Sequence, residues 1–395
     1  MKQIHVAVID DGINEAYFHT GSLPHNVEIS PALEIYNRTG YNPYLLSHGT
    51  NCAAIIKKYA PDAVISSVKI LNGTTFTAKK DQLMLALEWC YTNRIRLVHL
   101  SLGSTFFMDF EEISALVDNM IHSGIILVAA CHNRNIFTCP ASLSGVIGVK
   151  CDTSRQLEEK EYLYHSRPQD GIRITACSEH TLVNCHGEAA VTPLSNSYAA
   201  PYITALVHRI MTHHPDITLD GLMEELQIHA SALCEEEAES VPAEANGEVP
   251  LVAVFDYTGS GSAWGEQLAA CFRRDGYHAV VLSDNPSRHD PCKGILASNE
   301  LHTGQQLLES IGTILRIHEP DLIFLSMTTD WFAEPPEGIH YDIRFMITDD
   351  DPANTVPAYE IHNDGCATIT VYPYRNESPV LQIYTHMAEL LKGST

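Results

Sequence analysis

The chain has 395 residues, of which 45% are hydrophobic and 18% are charged, and its formal net charge is −25 at pH 7. This length is sufficient for two domains with cores of their own. The acidic excess disfavours binding to nucleic acid or to an anionic membrane; it mildly favours a basic peptide partner, or serves solubility alone. No run approaches the roughly 18 consecutive apolar residues of a membrane span, so none is predicted.

The chain opens directly on a strand pattern at residues 4–9, with neither a basic n-region nor a small-residue cleavage site. We therefore expect a protein that is not exported and stays in the cytoplasm. Its 11 cysteines are odd in number and scattered, and most lie in apolar runs, which favours reduced, buried thiols over disulfides. No pair has the spacing of a zinc site, so we expect no metal and no cofactor.

A boundary is visible where an acidic segment without hydrophobic periodicity, residues 234–248, interrupts the chain. Such a composition is typical of a solvated linker. Most of the acidity lies from there onward, because residues 234–395 contain 26 Asp and Glu against 8 Lys and Arg. We predict a first domain at 1–233, the linker at 234–248, and a second domain at 249–395 that binds substrate or a partner.

Strands and helices alternate in the first domain. Each predicted strand is a short, nearly continuous apolar run, and each predicted helix has an amphipathic pattern. This alternation indicates the α/β class, with a parallel sheet covered by helices on both faces. The predicted strands are 4–9, 63–68, 97–100, 125–130 and 146–149, and the predicted helices are 48–58, 80–93, 110–123 and 197–213.

Polar residues stand at the carboxyl ends of these strands, where the active groups of parallel sheets collect. Asp10 and Asp11 follow the first strand, and Asn133 follows a later one. His48 and Ser197 stand at the starts of two predicted helices. Taken singly, each has an ordinary explanation as a turn, cap or exposed loop residue.

Taken together, the same residues predict nucleophilic catalysis. A serine hydroxyl is a poor nucleophile until a histidine can accept its proton, and the histidine needs a carboxylate to fix its tautomer and stabilise its cation. Asp10 and Asp11 compete for that role. Adjacent residues of an extended chain point to opposite sides, so only one of them can reach the histidine.

Five segments of the chain resemble the motifs of subtilisin-like serine proteases, the subtilase family. The chain order Asp, His, Ser is that family's order, and it differs from the orders in chymotrypsin-like enzymes and α/β-hydrolases. The match runs from about residue 4 to about residue 212. The segments are Val8-Ile9-Asp10-Asp11-Gly12, His48-Gly49-Thr50, Leu100-Ser101-Leu102-Gly103, Val128-Ala129-Ala130-Cys131-His132-Asn133 and Ser197-Tyr198-Ala199-Ala200-Pro201.

The resemblance implies a subtilisin-like fold, a three-layer parallel sheet with helices on both faces, and the activity of a serine endopeptidase. It aligns Asp10, His48 and Ser197 with the catalytic triad. It aligns Asn133 with the asparagine of the oxyanion hole, whose amide donates to the tetrahedral intermediate. The residues that it implies for binding substrate are Ser101, Leu102, Gly103 and, at the pocket wall, His132.

The chain departs from the family pattern next to the expected site. The family usually has glycine before the oxyanion asparagine, where this chain has His132, and Gly-Thr before the nucleophile, where it has Ser195-Asn196. Met commonly follows the nucleophile, where this chain has Tyr198. These changes place larger, more polar groups around the expected P1 pocket and in the turn leading to Ser197. We therefore expect small P1 residues such as Gly, Ala or Ser to be preferred.

The second domain is predicted to be a smaller, Rossmann-like α/β domain. Residues 256–265 are rich in glycine, but Trp264 stands where the Rossmann fingerprint needs glycine, and the Lys-Ser/Thr pair of a Walker loop is absent. A sharp turn from strand to helix is therefore favoured over a phosphate site. The predicted strands are 249–255, 279–282, 322–327, 343–347 and 367–371, and the predicted helices are 265–275, 304–318 and 380–392.

These observations predict a cytoplasmic serine endopeptidase that cleaves a peptide or precursor peptide. The chain resembles the compact subtilases that trim leader peptides from ribosomally made peptides, because an extra domain follows a small protease domain. Two alternatives stay open: a general intracellular degradative subtilase, and a catalytically silent subtilase fold that serves as a binding scaffold. Neither nucleic acid nor a membrane is an expected partner.

Overall fold

A computed structural model describes residues 4–235, 249–257, 263–298, 301–347, 359–361, 367–371 and 379–393. The chain divides into two compact units, Met1–Glu237 and Ala238–Thr395. Most of the predicted linker, residues 236–248, lies outside the described residues, as does the glycine-rich stretch at 258–262. No helix in the described part of the chain is long and apolar enough to cross a lipid bilayer.

The first unit contains twelve strands and five helices in its described residues. In chain order they are β1 (His5–Asp10), β2 (Asn26–Ile29), β3 (Ile35–Asn37), α1 (His48–Tyr59), β4 (Val64–Lys69), α2 (Lys80–Thr92), β5 (Leu97–Leu100), α3 (Phe110–His122), β6 (Ile126–Ala130), β7 (Ile147–Cys151), β8 (Tyr162–His165), β9 (Ile174–Ala176), β10 (Thr181–Val183), β11 (Ala189–Val191), α4 (Asn196–His213), α5 (Leu219–Ile228) and β12 (Ala232–Cys234).

Ten of these strands form one sheet in the order β12-β8-β9-β7-β6-β5-β1-β4-β2-β3. All neighbouring pairs are parallel except β8 with β9 and β2 with β3. The central strands β1, β5 and β6 are buried almost throughout, as near-continuous apolar strands of a covered sheet should be. β10 and β11 pair separately as an antiparallel hairpin.

Helices cover both faces of this sheet, which confirms the predicted α/β fold with three layers. Side chains of α1, α4 and α5 share one hydrophobic cluster with β1, β5, β6 and β7. α2 and α3 pack against each other, and α3 packs against β6. β12 pairs with β8 at the sheet edge, so Cys234, which was predicted to open the linker, belongs to the last strand of the first unit.

The described residues of the second unit form seven strands and three α-helices. In chain order they are β13 (Leu251–Asp256), α6 (Trp264–Arg274), β14 (Ala279–Ser283), β15 (Ile295–Ala297), α7 (Gly304–His318), β16 (Leu322–Met327), β17 (Ile343–Ile347), β18 (Tyr359–Ile361), β19 (Ala367–Val371) and α8 (Pro379–Gly393).

These strands form one sheet in the order β15-β14-β16-β13-β17-β19-β18, and all neighbouring pairs are parallel except β18 with β19. α6 and α8 pack together beside one apolar cluster, while α7 covers the other. The Rossmann-like character of this domain stays a prediction.

Candidate active site

A carboxylate, an imidazole and a hydroxyl meet at the carboxyl edge of the first sheet. Asp10 is the last residue of β1, His48 is the first residue of α1, and Ser197 lies in the first turn of α4. Nδ1 of His48 lies 3.0 and 2.9 Å from the two carboxylate oxygens of Asp10. Nε2 of His48 lies 2.9 Å from Oγ of Ser197. The three predicted triad residues therefore form one continuous chain of hydrogen bonds.

Asp11 points away from the imidazole and caps α1. Its two carboxylate oxygens accept the backbone N–H groups of His48 at 3.1 Å and of Gly49 at 2.8 Å. These are donors that the first turn of a helix otherwise leaves without a partner. Burial and the neighbouring charge of Asp10 raise the pKa of Asp11 against the effect of these bonds. The two adjacent aspartates thus have separate tasks.

Gly49 allows α1 to begin this close to β1. A Cβ atom at this position would lie 2.9 Å from the carbonyl oxygen of Gly12 and 3.0 Å from Cβ of Asp10. The first distance is shorter than Cβ atoms tolerate and the second is tighter than most, so a larger residue would require β1 and the start of α1 to move apart. The His-Gly pair in the sequence is therefore a steric requirement of the site.

The charge balance around His48 suits a general base. Asp10 accepts a hydrogen bond from Nδ1–H, which leaves Nε2 without a proton and able to accept the hydroxyl proton of Ser197. Burial works against the imidazolium cation, whereas the carboxylate of Asp10, which is hydrogen-bonded to Nδ1, favours it. The net effect is to raise the pKa of His48 above its ordinary value of 6.5.

A buried histidine behind the nucleophile was not found from the sequence. Pro201 has no N–H group to donate to the carbonyl oxygen of Ser197 one turn earlier, and the hydroxyl of Ser101 donates to that oxygen instead at 3.2 Å. Nε2 of His99 lies 2.8 Å from the same hydroxyl. Burial lowers the pKa of His99 to about 4, so this imidazole is neutral near pH 7.

Asn133 is held with its amide oxygen toward α4. That oxygen accepts the backbone N–H of Asn196 at 3.0 Å, and it lies 3.2 Å from the hydroxyl oxygen of Ser195. A backbone N–H can only face an acceptor, so the amide nitrogen of Asn133 lies on the opposite side. Asn133 and Ser197 line the same cleft, which leaves this nitrogen available to a ligand there.

Asn196 joins the loop after β6 to α4, a role that the sequence did not indicate. Its side chain is buried; its Nδ2 donates to the carbonyl oxygen of His132 at 2.9 Å and to Oδ1 of Asn135 at 3.0 Å. Its Oδ1 accepts the backbone N–H of Cys151 at 2.7 Å. All of its polar atoms therefore hold neighbouring loops in place around Ser197.

A cleft of about 710 Å³ opens beside Ser197. It is lined by the four predicted substrate-binding residues, Ser101, Leu102, Gly103 and His132. His48, Ser197, Thr138 and Asp109 line it as well. Asp109 is the carboxylate that lines this cleft, and it accepts a hydrogen bond from the hydroxyl of Ser104 at 2.5 Å.

Thr138 contacts two other residues that line the cleft, His132 and Gly103. Its Oγ1 accepts the backbone N–H of His132 at 3.0 Å and donates to the carbonyl oxygen of Ile136 at 2.7 Å. Its methyl group faces Gly103, where an added Cβ would lie 2.8 Å from it. The ring of His132 accepts the backbone N–H of Arg134 through Nδ1 at 3.3 Å. Both residues are therefore held in place where they line the cleft.

Tyr198 packs on the triad imidazole. Its ring centroid lies 5.0 Å from that of His48, with an angle of 31° between the planes. Its hydroxyl is 3.3 Å from Nδ2 of Asn51, and its carbonyl oxygen is 3.0 Å from Nε2 of His180. Tyr198 is therefore held through both its hydroxyl and its backbone, and its ring restricts the positions that the imidazole of His48 can take.

In the described part of the chain, three residues offer ligand atoms close enough to hold one metal ion. They are Asp10, His48 and Cys52, whose ligand atoms lie within 4.8 Å of one another. A metal here would replace the hydrogen bonds between His48 and Asp10. Burial raises the pKa of Cys52, so its sulfur is a thiol rather than a ready metal ligand. The expectation of no metal and no cofactor stays a prediction.

Structural comparison finds similar solved proteins. A cold-adapted subtilisin-like serine proteinase superimposes with a TM-score of 0.46 and 19% identity, covering 58% of this chain and 82% of that one. A lanthipeptide protease superimposes with a TM-score of 0.45 and 14% identity, covering 56% of this chain and 79% of that one.

Sequence comparison finds two relatives at 26% identity. The minor extracellular protease Epr of Bacillus subtilis matches over 241 residues, 57% of this chain and 35% of the relative. A thermostable alkaline protease of Halalkalibacterium halodurans matches over 199 residues, 47% of this chain and 53% of the relative. The chain thus spans between a third and about half of the length of these relatives.

The profile of the subtilase family, Peptidase_S8, matches residues 1–240, which is more than half of the chain and contains every residue of the site described above. The chain therefore belongs to the subtilase family.

Proposed function

We propose that the chain is a serine endopeptidase in which Ser197 is the nucleophile, His48 the general base and Asp10 the residue that orients it. The observation that carries this proposal is the unbroken chain of hydrogen bonds from Asp10 through His48 to Ser197 at the floor of an open cleft. A silent scaffold would have no need of all three groups at bonding distance. Family membership supports the same reaction class.

The reaction follows from these contacts. Oγ of Ser197 attacks the scissile carbonyl carbon, its proton moves to Nε2 of His48, and the carbonyl π electrons move onto the oxygen. The amide of Asn133 and a backbone N–H at Ser197 stabilise that oxyanion. His48 then gives its proton to the leaving amine, and water repeats the sequence to release the acyl group from Ser197.

A fluorophosphonate probe tests the reaction without knowledge of the substrate. The probe phosphonylates only a serine that a base activates, so we expect labelling of Ser197 in the folded chain. Ser197→Ala is the matched control, because it removes a single oxygen at a position where a small residue is tolerated. Equal labelling of both chains, or no labelling of the folded unsubstituted chain, would contradict the proposal.

We propose further that Thr138 and His132, which both line the cleft, limit its depth, and that it therefore prefers Gly, Ala or Ser at P1. A P1-varied peptide library should show that preference, and His132→Gly should broaden it. Thr138→Ser is a sharper variant, because it keeps the hydroxyl that bonds to His132 and removes only the methyl group that faces Gly103. It should gain about 1–3 kcal/mol toward residues one methylene larger. A preference for Lys or Arg would instead make Asp109 the selecting group.

We propose a precursor peptide with a basic leader as the substrate class. The support is the negative charge of residues 234–395, which contain 26 acidic and 8 basic residues. The electrostatic field of such a segment speeds the encounter with a basic peptide. Three peptides that share one cleavage site and differ only in a basic, neutral or acidic leader distinguish cleavage of a precursor peptide from general degradation. The basic leader should be cleaved fastest at low salt, and the advantage should vanish at high salt. Equal rates for all three would favour the degradative alternative.

A further inference from the structure

A second hydroxyl lies beside the nucleophile. Oγ of Ser195 is 2.8 Å from Oγ of Ser197 and 3.2 Å from Oδ1 of Asn133. It therefore lies between the atom that attacks the substrate and the side chain that receives the oxyanion. The family pattern usually has glycine at this position, so this chain adds a polar group where its relatives have no side chain.

The hydroxyl of Ser195 does not serve the helix. Ser195 occupies the N-cap position of α4, where a serine side chain ordinarily accepts a backbone N–H of the first turn. No such bond is formed, and the side chain is directed to Ser197 and Asn133 instead. A helix cap therefore does not account for the presence of a serine here.

The direction of the hydrogen bond can be assigned from its neighbours. Nδ1–H of His48 points to Asp10, so Nε2 accepts, and the single hydroxyl proton of Ser197 is directed to it. In the contact between the two serines, Ser195 must therefore be the donor; its other available acceptor is Oδ1 of Asn133. When Ser195 bonds to Ser197, a donor therefore faces the reacting atoms.

We propose that Ser195 is a catalytic residue whose hydroxyl donates an additional hydrogen bond to the oxyanion; this inference rests on the proposed function. As Oγ of Ser197 bonds to the carbonyl carbon and its proton passes to His48, the π electrons move onto the carbonyl oxygen. That oxygen is attached to the same carbon as Oγ of Ser197, so it develops within reach of Ser195. The hydroxyl of Ser195 rotates to the oxyanion and keeps its proton.

The backbone at Ser195 permits a clean test. It is extended, with φ −165° and ψ 142°, so alanine fits without strain and the variant should fold. Ser195→Ala removes the hydroxyl, Ser195→Gly restores the residue usual in the family, and Ser195→Thr keeps a hydroxyl. Asn133→Ala serves as the comparison, because in subtilisin loss of the corresponding donor costs about 10²–10³-fold in kcat.

Two rates report the effect. One is the second-order rate of labelling of Ser197 by a fluorophosphonate, whose phosphoryl oxygen occupies the oxyanion site; the other is kcat for succinyl-Ala-Ala-Pro-Ala p-nitroanilide. For Ser195→Ala and Ser195→Gly we expect both to fall about tenfold, with KM changed less than about twofold, because the bond forms mainly in the transition state. Ser195→Thr should retain most of the rate.

The outcomes separate the two claims. Labelling that depends on Ser197 but is equally fast or faster in Ser195→Ala and Ser195→Gly overturns the role of Ser195 and leaves the endopeptidase standing. A faster variant would show that the hydroxyl occupies the oxyanion site and obstructs it. A folded chain that is not labelled at Ser197 at all overturns the proposed function and this inference with it.

Discussion

The carboxyl edges of the two parallel sheets present polar residues in the same way but use them differently. In the first unit, Asp10 ends β1, and its carboxylate contacts the imidazole of His48, which is bonded to the hydroxyl of Ser197 in a cleft. In the second unit, Asp284 follows β14 and accepts hydrogen bonds from the backbone N–H of Thr328, from its hydroxyl and from the hydroxyl of Thr329, at 2.9–3.2 Å.

The two carboxylates differ in whether their partner can still accept a proton from a nucleophile. Asp284 joins the segment after β14 to the segment after β16, and no base among the described residues of that edge is bonded to a threonine hydroxyl there. Asp10 instead directs the proton of His48, which leaves Nε2 as an acceptor for a nucleophile. The same architecture therefore supports a reactive edge and a structural one, and the distinction comes from the partner of the carboxylate rather than from the fold.

Removal of the base or the nucleophile should lower activity the most, and it should make the edge of the first sheet as unreactive as that of the second. His48→Ala and Ser197→Ala should each lower kcat by about 10⁶-fold, the scale known for subtilisin, because neither group acts without the other. The double variant should be no slower than either single one. A double variant that is far slower than both would mean that the two residues act independently, and the triad would be wrongly assigned.

The two adjacent aspartates should differ next. Asp10→Asn should lower kcat by about 10⁴-fold, because an amide holds the imidazole in the wrong tautomer. Asp11→Asn should keep the rate within a few-fold and lower the free energy of unfolding by about 1–2 kcal/mol, because one of its two bonds to α1 is lost. Urea denaturation and steady-state kinetics measure both quantities, and the reverse ranking would move the triad by one residue.

The raised pKa of His48 predicts the pH profile. Only neutral His48 can accept the proton of Ser197, so kcat/KM should fall about tenfold per pH unit below the pKa that governs it. Because that pKa is raised, the acid limb should lie above pH 6.5, and activity should increase as pH rises through it. An acid limb below pH 6.5 in the unsubstituted chain would contradict the assignment.

Asp284 should give the smallest effect on activity. Asp284→Ala should leave kcat and KM unchanged, and should destabilise the second unit by about 1–3 kcal/mol, because Thr328 and Thr329 lose their acceptor. The matched readouts are peptide hydrolysis and urea denaturation followed by tryptophan fluorescence. A change in kcat above tenfold would show that this edge takes part in the reaction and would remove the contrast between the two units.

Helices α1 to α4 could be predicted from their amphipathic patterns, and the central strands from their nearly continuous apolar runs. β1, β5, β6 and helices α1 to α4 fall within a few residues of their predicted bounds. β3 and β11 were not predicted, because each has three residues and all are exposed, so neither shows an alternation of burial. Strands this short owe their conformation to their neighbours in the sheet.

The triad could be predicted from its motifs, whereas the groups that support it could not. Asp10, His48 and Ser197 sit in local segments of the kind a family shares. The roles of Asn196 and Thr138 depend instead on contacts between loops, such as that between Asn196 and the carbonyl oxygen of His132, 64 residues apart in sequence. Neither residue type nor spacing indicates such contacts, because they depend on how the sheet brings two loops together.

The bonds of Asn196 have a consequence for the time course of the reaction. With Asn196 bonded to the loop after β6 and to β7, the oxyanion site and the nucleophile are already joined before any peptide arrives. No slow rearrangement need precede the first bond cleavage, so progress curves should start at full velocity, without a lag, at every substrate concentration.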